Sequence, residues 1–387
     1  MSRSGHDVPF NRAYRTGRET SHIEAAIASK HLSSSGRFTK LCEGWLTERT
    51  GSHRAVMTTS CTAALEMAAI LAEVDEGDEV IMPSFGFVST ATAFVLRGAT
   101  PVFVDVREDT LCIDHQLAAA AVTQATKAIV PVDYAGIGCD FAPLRELADV
   151  HGVMMIEDAA QGLMASRDGK PLGSFGALGA ISFHETKNVT CGEGGALLVN
   201  DPALVERAEI LRDKGTNRQR FERGQTEKYT WVDIGSSYAM SDLNAAFLWG
   251  QLEEAEWITN SRLETWRRYH EGFADLEGEG VVRRPVVPEG CTHNAHMYYL
   301  LLRGPAERKR VIDDLDERGI NAVFHYVPLH SSPAGKQYGR TSDDLPVTDD
   351  VSDRLLRLPL WADMYPETAD AVIEAVRESV TQEARAS

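Results

Sequence analysis

A single lysine stands out by its setting. Lys187 lies in the run Ile181-Ser-Phe-His-Glu-Thr-Lys-Asn188, just past an apolar strand, Ala180 to Phe183. Cys191-Gly-Glu-Gly-Gly195 then turns the chain into a second apolar stretch, Ala196 to Val199. A lysine placed off the end of a buried strand is held where water is scarce, so its amine can lose its proton and attack a carbonyl to form a Schiff base. Upstream, Val153-Met-Met-Ile-Glu-Asp158 reads as another buried strand that ends in a carboxylate, 29 residues before the lysine. An amine that binds an aldehyde and an acid that keeps a ring nitrogen protonated together suggest pyridoxal phosphate (PLP) as cofactor. Taken alone, either residue has a plainer reading. Most lysines are solvated surface charges, and an aspartate after a strand is often a helix cap.

That cofactor also needs an anion cradle. Thr59-Ser-Cys-Thr-Ala-Ala64 opens an apolar helix, where free N–H groups and the helix dipole attract a phosphate. Thr62 and Ser60 add hydroxyl donors there, although Ser60 also reads as an ordinary N-cap. Phe87, in Pro83-Ser-Phe-Gly-Phe87, falls where a strand ends and can stack on an aromatic ring, or can simply be core.

These candidates need a frame. The 387 residues are enough for about two domains. A formal charge of −18 argues against a protein that coats nucleic acid or an anionic membrane. Neither a signal peptide nor a membrane-spanning run is evident. The six cysteines never form a Cys-x-x-Cys pair, which suggests no zinc site and reduced thiols in a cytoplasmic protein.

From residue 55 onward, strand and helix patterns alternate: strands at 55–58, 80–82, 101–106, 128–133 and 153–157, with helices between them. Such alternation predicts right-handed crossovers and a mostly parallel sheet covered on both faces, with its ligand beyond the carboxyl ends of the strands. Ser241 to Asp275 reads as one long helix bent near Gly250. A smaller unit follows, with strands at 297–302 and 322–327 and helices at 306–318, 350–357 and 367–380. The expected division is a large domain, 1–250, carrying an N-terminal arm, and a region, 251–387, holding a long connecting helix and a small α+β domain.

The runs Pro83-Ser-Phe-Gly-Phe-Val-Ser-Thr90, Phe103-Val-Asp-Val106, Ile156-Glu-Asp-Ala-Ala-Gln161, Ser182-Phe-His-Glu-Thr-Lys-Asn188 and Gly192-Glu-Gly-Gly195 resemble those of the DegT/DnrJ/EryC1/StrS nucleotide-sugar aminotransferases. The likeness extends from about Pro9 to the final helix. It includes Lys214-Gly-Thr-Asn-Arg218, His325-Tyr-Val-Pro-Leu-His330 and Leu355-Leu-Arg-Leu-Pro-Leu360. It implies the aspartate-aminotransferase (type I) PLP fold. Within the family it points to members that use L-glutamate to aminate C4 of dTDP-4-keto-6-deoxyglucose.

By that resemblance Lys187 is the Schiff-base lysine and Asp158 the pyridinium partner. Gln161 approaches the ring hydroxyl, Phe87 stacks on the ring, and Thr62, Ala63 and Ser182 hold the phosphate. His184, Arg218, Tyr326 and His330 are candidates for substrate contact. A homodimer with shared sites is also implied. Here Gly235-Ser-Ser-Tyr-Ala239 departs from the family's cross-subunit phosphate motif, leaving Ser236 or Ser237 to replace it. Arg212, Lys214, Arg218, Arg220, Arg223 and Lys228 form a basic run that either faces substrate anions or makes salt bridges at a solvated helix end. The other readings are a C3 aminotransferase and a PLP-binding regulator without turnover. The facial preference at C4, galacto or gluco, is open in the sequence.

Overall fold

Alternating side chains along the strands build the centre of the molecule. In the computed structural model, which describes residues 7–381, Ala55 and Met57 of the first strand point to one hydrophobic core while Val56 points to another. The same division separates Ile81 from Val80 and Met82, and Leu198 from Leu197 and Val199. Both faces are therefore apolar, as a sheet covered on both sides requires.

The chain-ordered strands are β1 (Arg54–Thr58), β2 (Glu79–Pro83), β3 (Thr100–Val104), β4 (Thr126–Ile129), β5 (Met154–Asp158), β6 (Ser166–Arg167), β7 (Lys170–Pro171), β8 (Leu178–Ser182), β9 (Gly195–Val199), β10 (Cys291–Thr292), β11 (Tyr298–Leu301), β12 (Val323–Phe324), β13 (Arg340–Thr341) and β14 (Leu355–Leu358). Eight of them form one sheet in the order β1-β9-β8-β5-β4-β2-β3-β13. Within it β9 runs antiparallel to both of its neighbours, and every other adjacent pair is parallel. The ends of β1, β5 and β8 and the start of β9 thus meet at one edge, where Thr58 and Ser182 both pair with Gly195.

Helix α1 (Glu19–Ala28) and helix α2 (Arg37–Thr50) lie N-terminal to the sheet strands, and α3 (Cys61–Leu71) and α4 (Val88–Val95) follow β1 and β2. Nearly every residue of α3 is buried, as expected for a helix that is apolar all round. Ser60 caps it, its Oγ accepting from Ala63 N at 3.0 Å.

The C-terminal unit pairs β11-β14-β12 antiparallel. Two of its links to the rest run through backbone. Val8 N donates to Gly319 O at 3.0 Å and Asn321 N to Val8 O at 2.9 Å, so the N-terminal arm lies on this unit. β13 adds to the edge of the large sheet beside β3.

Three sequence expectations change. The expected helix 241–275 is Asp242–Leu252, Ala255–Gly272 and the start of Ala274–Gly278, broken at Glu253 and Glu254 and again at Phe273. Gly250 does not bend the chain; a Cβ there would lie 3.1 Å from Glu19 N, so its role is to let α1 approach. The expected helix 350–357 ends at Arg354, because Leu355–Leu358 is the middle strand of the small sheet. The fourth strand stops at Ile129, and Val132 keeps only an isolated bridge to Asp158.

The four arginines of the basic run take the salt-bridge reading. Arg212 is 1% exposed and pairs with Glu43 at 2.7 Å and Asp213 at 3.3 Å. Arg218 pairs with Glu222, Arg220 with Glu206 and Arg223 with Glu209. Removing one partner of a buried ion pair strands the other charges. Arg212→Met should therefore lower unfolding free energy by about 3–5 kcal/mol, measured by urea denaturation. Arg220→Met, on an exposed pair, should change it by less than about 1 kcal/mol.

Candidate active site

The chain leaves β8 at Ser182, makes a turn in which Lys187 N donates to His184 O at 2.9 Å, and returns to β9. This places the Lys187 amine in a cavity of roughly 260 Å³ that is also lined by Ser60, Thr62, Asp158, Gln161 and Ser182. Burial pulls the Lys187 amine below its ordinary pKa. The charge of Asp158 pulls the other way, and that of Arg357 adds to the depression.

Asp158 ends β5 and is 5% exposed. Its Oδ2 accepts from Thr90 Oγ1 at 2.6 Å and its Oδ1 from Ala160 N at 3.1 Å. Burial raises its pKa, while Thr90, Ala160 and then Lys187 oppose the rise. A cation beside it would complete the compensation.

Gln161 Oε1 accepts from Ala135 N at 2.7 Å. Its carbonyl oxygen is thereby fixed, leaving the NH₂ as the group it can offer a ligand. Thr62 Oγ1 shares a 2.8 Å hydrogen bond with Ser89 Oγ. The N–H groups of Cys61 and Thr62 lie in the first turn of α3, where no intrahelical acceptor exists.

The glycines explain the space above that turn. A Cβ on Gly195 would lie 2.4 Å from Cys61 N, so β9 can start against the helix end only without a side chain there; one on Gly194 would instead lie 2.5 Å from Cys191 Sγ.

A helix N-terminus with free N–H groups, an amine depressed by burial and a buried acid beside it together fit PLP. Ala63 has a different place from the one the resemblance implies: its N–H is already donated to Ser60 Oγ.

Phe87, 48% exposed, and Tyr326 stand together, their rings 5.1 Å apart. Both line the cavity, as does His184, whose Nδ1 is 2.9 Å from Thr186 Oγ1. The structure does not bring Arg218 or His330 into this cavity. Arg218 pairs with Glu222, and His330 binds Ser84 Oγ at 2.7 Å through Nδ1, which ties its loop to the end of β2.

Among the lining residues not assigned from sequence are Arg262, His296, His325 and Arg357. His325 and Arg357 fall inside quoted motif runs, but only the fold of the small sheet turns them inward. A buried network joins the two sides of the site: Asn188 Nδ2 donates to Asn294 O at 2.8 Å, and Asn294 Nδ2 to Gln161 O at 2.7 Å.

The fold and this constellation define a type I PLP-dependent aminotransferase. Residues 14–377 match the DegT/DnrJ/EryC1/StrS aminotransferase family, and the chain belongs to it. It is 32% identical over 388 residues to the spore coat polysaccharide biosynthesis protein SpsC of Bacillus subtilis, covering 98% of this chain and 99% of SpsC. Spr1654 of Streptococcus pneumoniae, solved in a PLP-form and a PMP-form, superposes at TM-scores of 0.88 and 0.89. It shares 27% identity, over 97% of this chain and 99% and 100% of the two forms. DesV of S. venezuelae, in complex with a ketimine intermediate, gives a TM-score of 0.87 at 29% identity, over 98% of this chain and 100% of DesV. Among the described residues no helix is long and apolar enough to cross a membrane.

Gly195→Ala should push on the first turn of α3 and weaken PLP binding roughly tenfold or more, equivalent to ~1.4 kcal/mol. Titration of apoprotein with cofactor checks this, with Gly44→Ala, which meets nothing within 4 Å, as the unchanged control.

Proposed function

We propose that the protein transfers the amino group of L-glutamate to C4 of a dTDP-4-keto-6-deoxyhexose. The products are a dTDP-4-amino-4,6-dideoxyhexose and 2-oxoglutarate, made in two half-reactions at one site. The observation that carries this reading is the meeting of Lys187 and Asp158 in one water-poor cavity beside the N-terminus of α3. Support for a sugar acceptor comes from the motif runs, from SpsC's place in polysaccharide biosynthesis and from Spr1654, described as a candidate sugar aminotransferase.

PLP, when bound, supplies the carbonyl carbon through which amines exchange and a ring that withdraws electrons from it. Lys187 is its covalent anchor and, once released, the base that carries a proton to and from the reacting carbon. Its depressed pKa suits that work. Asp158, fixed by Thr90 and Ala160, holds the ring nitrogen protonated. Thr62 and the free N–H groups of α3 hold the phosphate with Ser182, and Gln161 offers its NH₂ to the ring hydroxyl. Phe87 forms the aromatic wall, and Tyr326 and His184 face the sugar.

The reading includes a homodimer. Tyr229, Trp231, Val232 and Ile234 are all exposed, Trp231 by 78%, and lead directly into Ser236 and Ser237, also exposed. Large exposed apolar side chains clustered in one short segment suit a protein interface. This segment is the proposed contribution of one copy to the other's site.

Incubation with L-glutamate and dTDP-4-keto-6-deoxyglucose, followed by NMR, should show an amino sugar and an equal amount of 2-oxoglutarate. The ring couplings report the face of amination. Lys187→Ala should cut turnover by at least about a thousandfold. Formation of 2-oxoglutarate with another keto sugar but not this one would overturn the acceptor. Full turnover by the alanine variant would overturn the role of Lys187.

A further inference from the structure

Two fully buried carboxyls, Asp133 and Glu157, stand outside the site described above and do not line its cavity. Side chains alternate along β5, so Glu157 points away from Asp158, to the face that holds Met155 and Ala159. There its Oε1 accepts from Gly173 N and its Oε2 from Phe175 N at 2.7 Å. Asp133 is served less well. Its Oδ1 accepts from Cys139 N at 3.3 Å, and its Oδ2 is buried with no donor. Neither carboxyl forms an ion pair among the described residues. Lys170 senses the charge of Glu157 but lies over the ring of Phe175, 4.7 Å from its centre. The other titratable groups beside the pair are the thiols of Cys112 and Cys139, which donate to Ile137 O and Val132 O.

Two ionised carboxylates side by side in a dry interior repel each other, and each also loses its hydration. One shared proton relieves both costs. It belongs on Asp133, because Glu157 already has a donor on each oxygen and Asp133 Oδ2 has none. With the proton there, Oδ2 becomes a donor and Glu157 its acceptor. Burial and then the charge of Glu157 push the Asp133 carboxyl well above the ordinary range. Burial also raises Glu157, and the hydrogen bond from Asp133 opposes that rise.

The backbone around Asp133 reaches the cofactor site. Asp133 N donates to Asp158 O at 3.1 Å, and Asp158 N donates to Pro131 O at 2.9 Å. Ala135, in the left-handed region at φ +59°, gives its N–H to Gln161 Oε1 at 2.7 Å. Gly136 N closes that turn on Asp133 O at 3.2 Å. The turn that presents Ala135 to Gln161 therefore begins at the residue the buried acid pair fixes.

We propose that Asp133, kept as a neutral acid hydrogen-bonded to Glu157, is a positioning residue that fixes the 133–136 turn and so holds the Gln161 amide at the cofactor's ring hydroxyl. This rests on the role given to Gln161 above and adds the groups that hold it in place. The proton stays within the pair.

Infrared difference spectra of the apoprotein, wild type against Asp133→Asn, read that proton directly. Near neutral pH the wild type should show the carbonyl band of a protonated carboxyl, shifted in D₂O and lost in the variant. Spectra without this band would overturn the shared proton. Titration of apoprotein with PLP reads the positioning. Asp133→Ala should weaken PLP binding by about tenfold, the worth of a buried hydrogen bond. Asp133→Asn keeps a donor toward Glu157 and an acceptor for Cys139 N, so it should restore most of the affinity. Gln161→Ala should also weaken binding, and adding Asp133→Ala to it should cost little more, because both changes act through one contact. Full additivity of the two, or equal losses in the alanine and asparagine variants, would overturn the positioning role. Asp133→Ser, too short to reach Glu157, takes the place of the alanine variant if that one does not fold. If Gln161→Ala binds PLP as the wild type does, the role of Gln161 itself fails, and the infrared band still decides the shared proton.

Discussion

An amine and an acid are kept out of water at the point where two neighbouring parallel strands stop. β5 and β8 lie side by side, with Asp158 opposite Ala180, so the end of one strand sits beside the turn that follows the other. Burial pulls the two groups toward their neutral forms, raising the acid's pKa and lowering the amine's. Their mutual charge and the hydrogen bonds from Thr90 and Ala160 resist that drift. Much of the rest of the large sheet serves this placement. The antiparallel β9 returns the chain to the same edge, and Gly195 lets it pass the end of α3 without filling the cradle.

The second contribution comes from the C-terminal unit. It supplies Arg357 and His325 to the cavity and reaches Gln161 and Asn188 through Asn294. Arg262 fixes the backbone of Ala295 and His296, which carries that contact. The N-terminal arm closes the arrangement: Phe10 and Asn11 line the cavity, and Leu360 N donates to Phe10 O at 3.2 Å. The cavity is thus lined by residues of both units.

The fold class was legible because strands buried on both faces are short apolar runs, and the helices between them carry a different period. Lys187, Asp158 and the start of α3 were legible for a local reason, since each sits at the end of an element that its own neighbours in sequence define. Arg357 was not. Leu355, Leu356 and Leu358 look like the tail of the helix before them, and only pairing with β11 and β12 makes the segment a strand. The basic run stayed open between two readings for the complementary reason. Its charges are adjacent in sequence, but their partners Glu43, Glu206 and Glu209 come from elsewhere in the chain. His330 likewise was open to a sugar contact until Ser84 was placed beside it. Gly250 shows the limit of single-residue rules, for it serves a close helix contact and not a bend.

The most direct measurement is borohydride reduction of the PLP-loaded protein followed by peptide mapping. The account predicts that the cofactor's mass is fixed on the peptide carrying Lys187 and on no other. Cofactor trapped on a different lysine, or no covalent attachment in a protein that still transaminates, would contradict it.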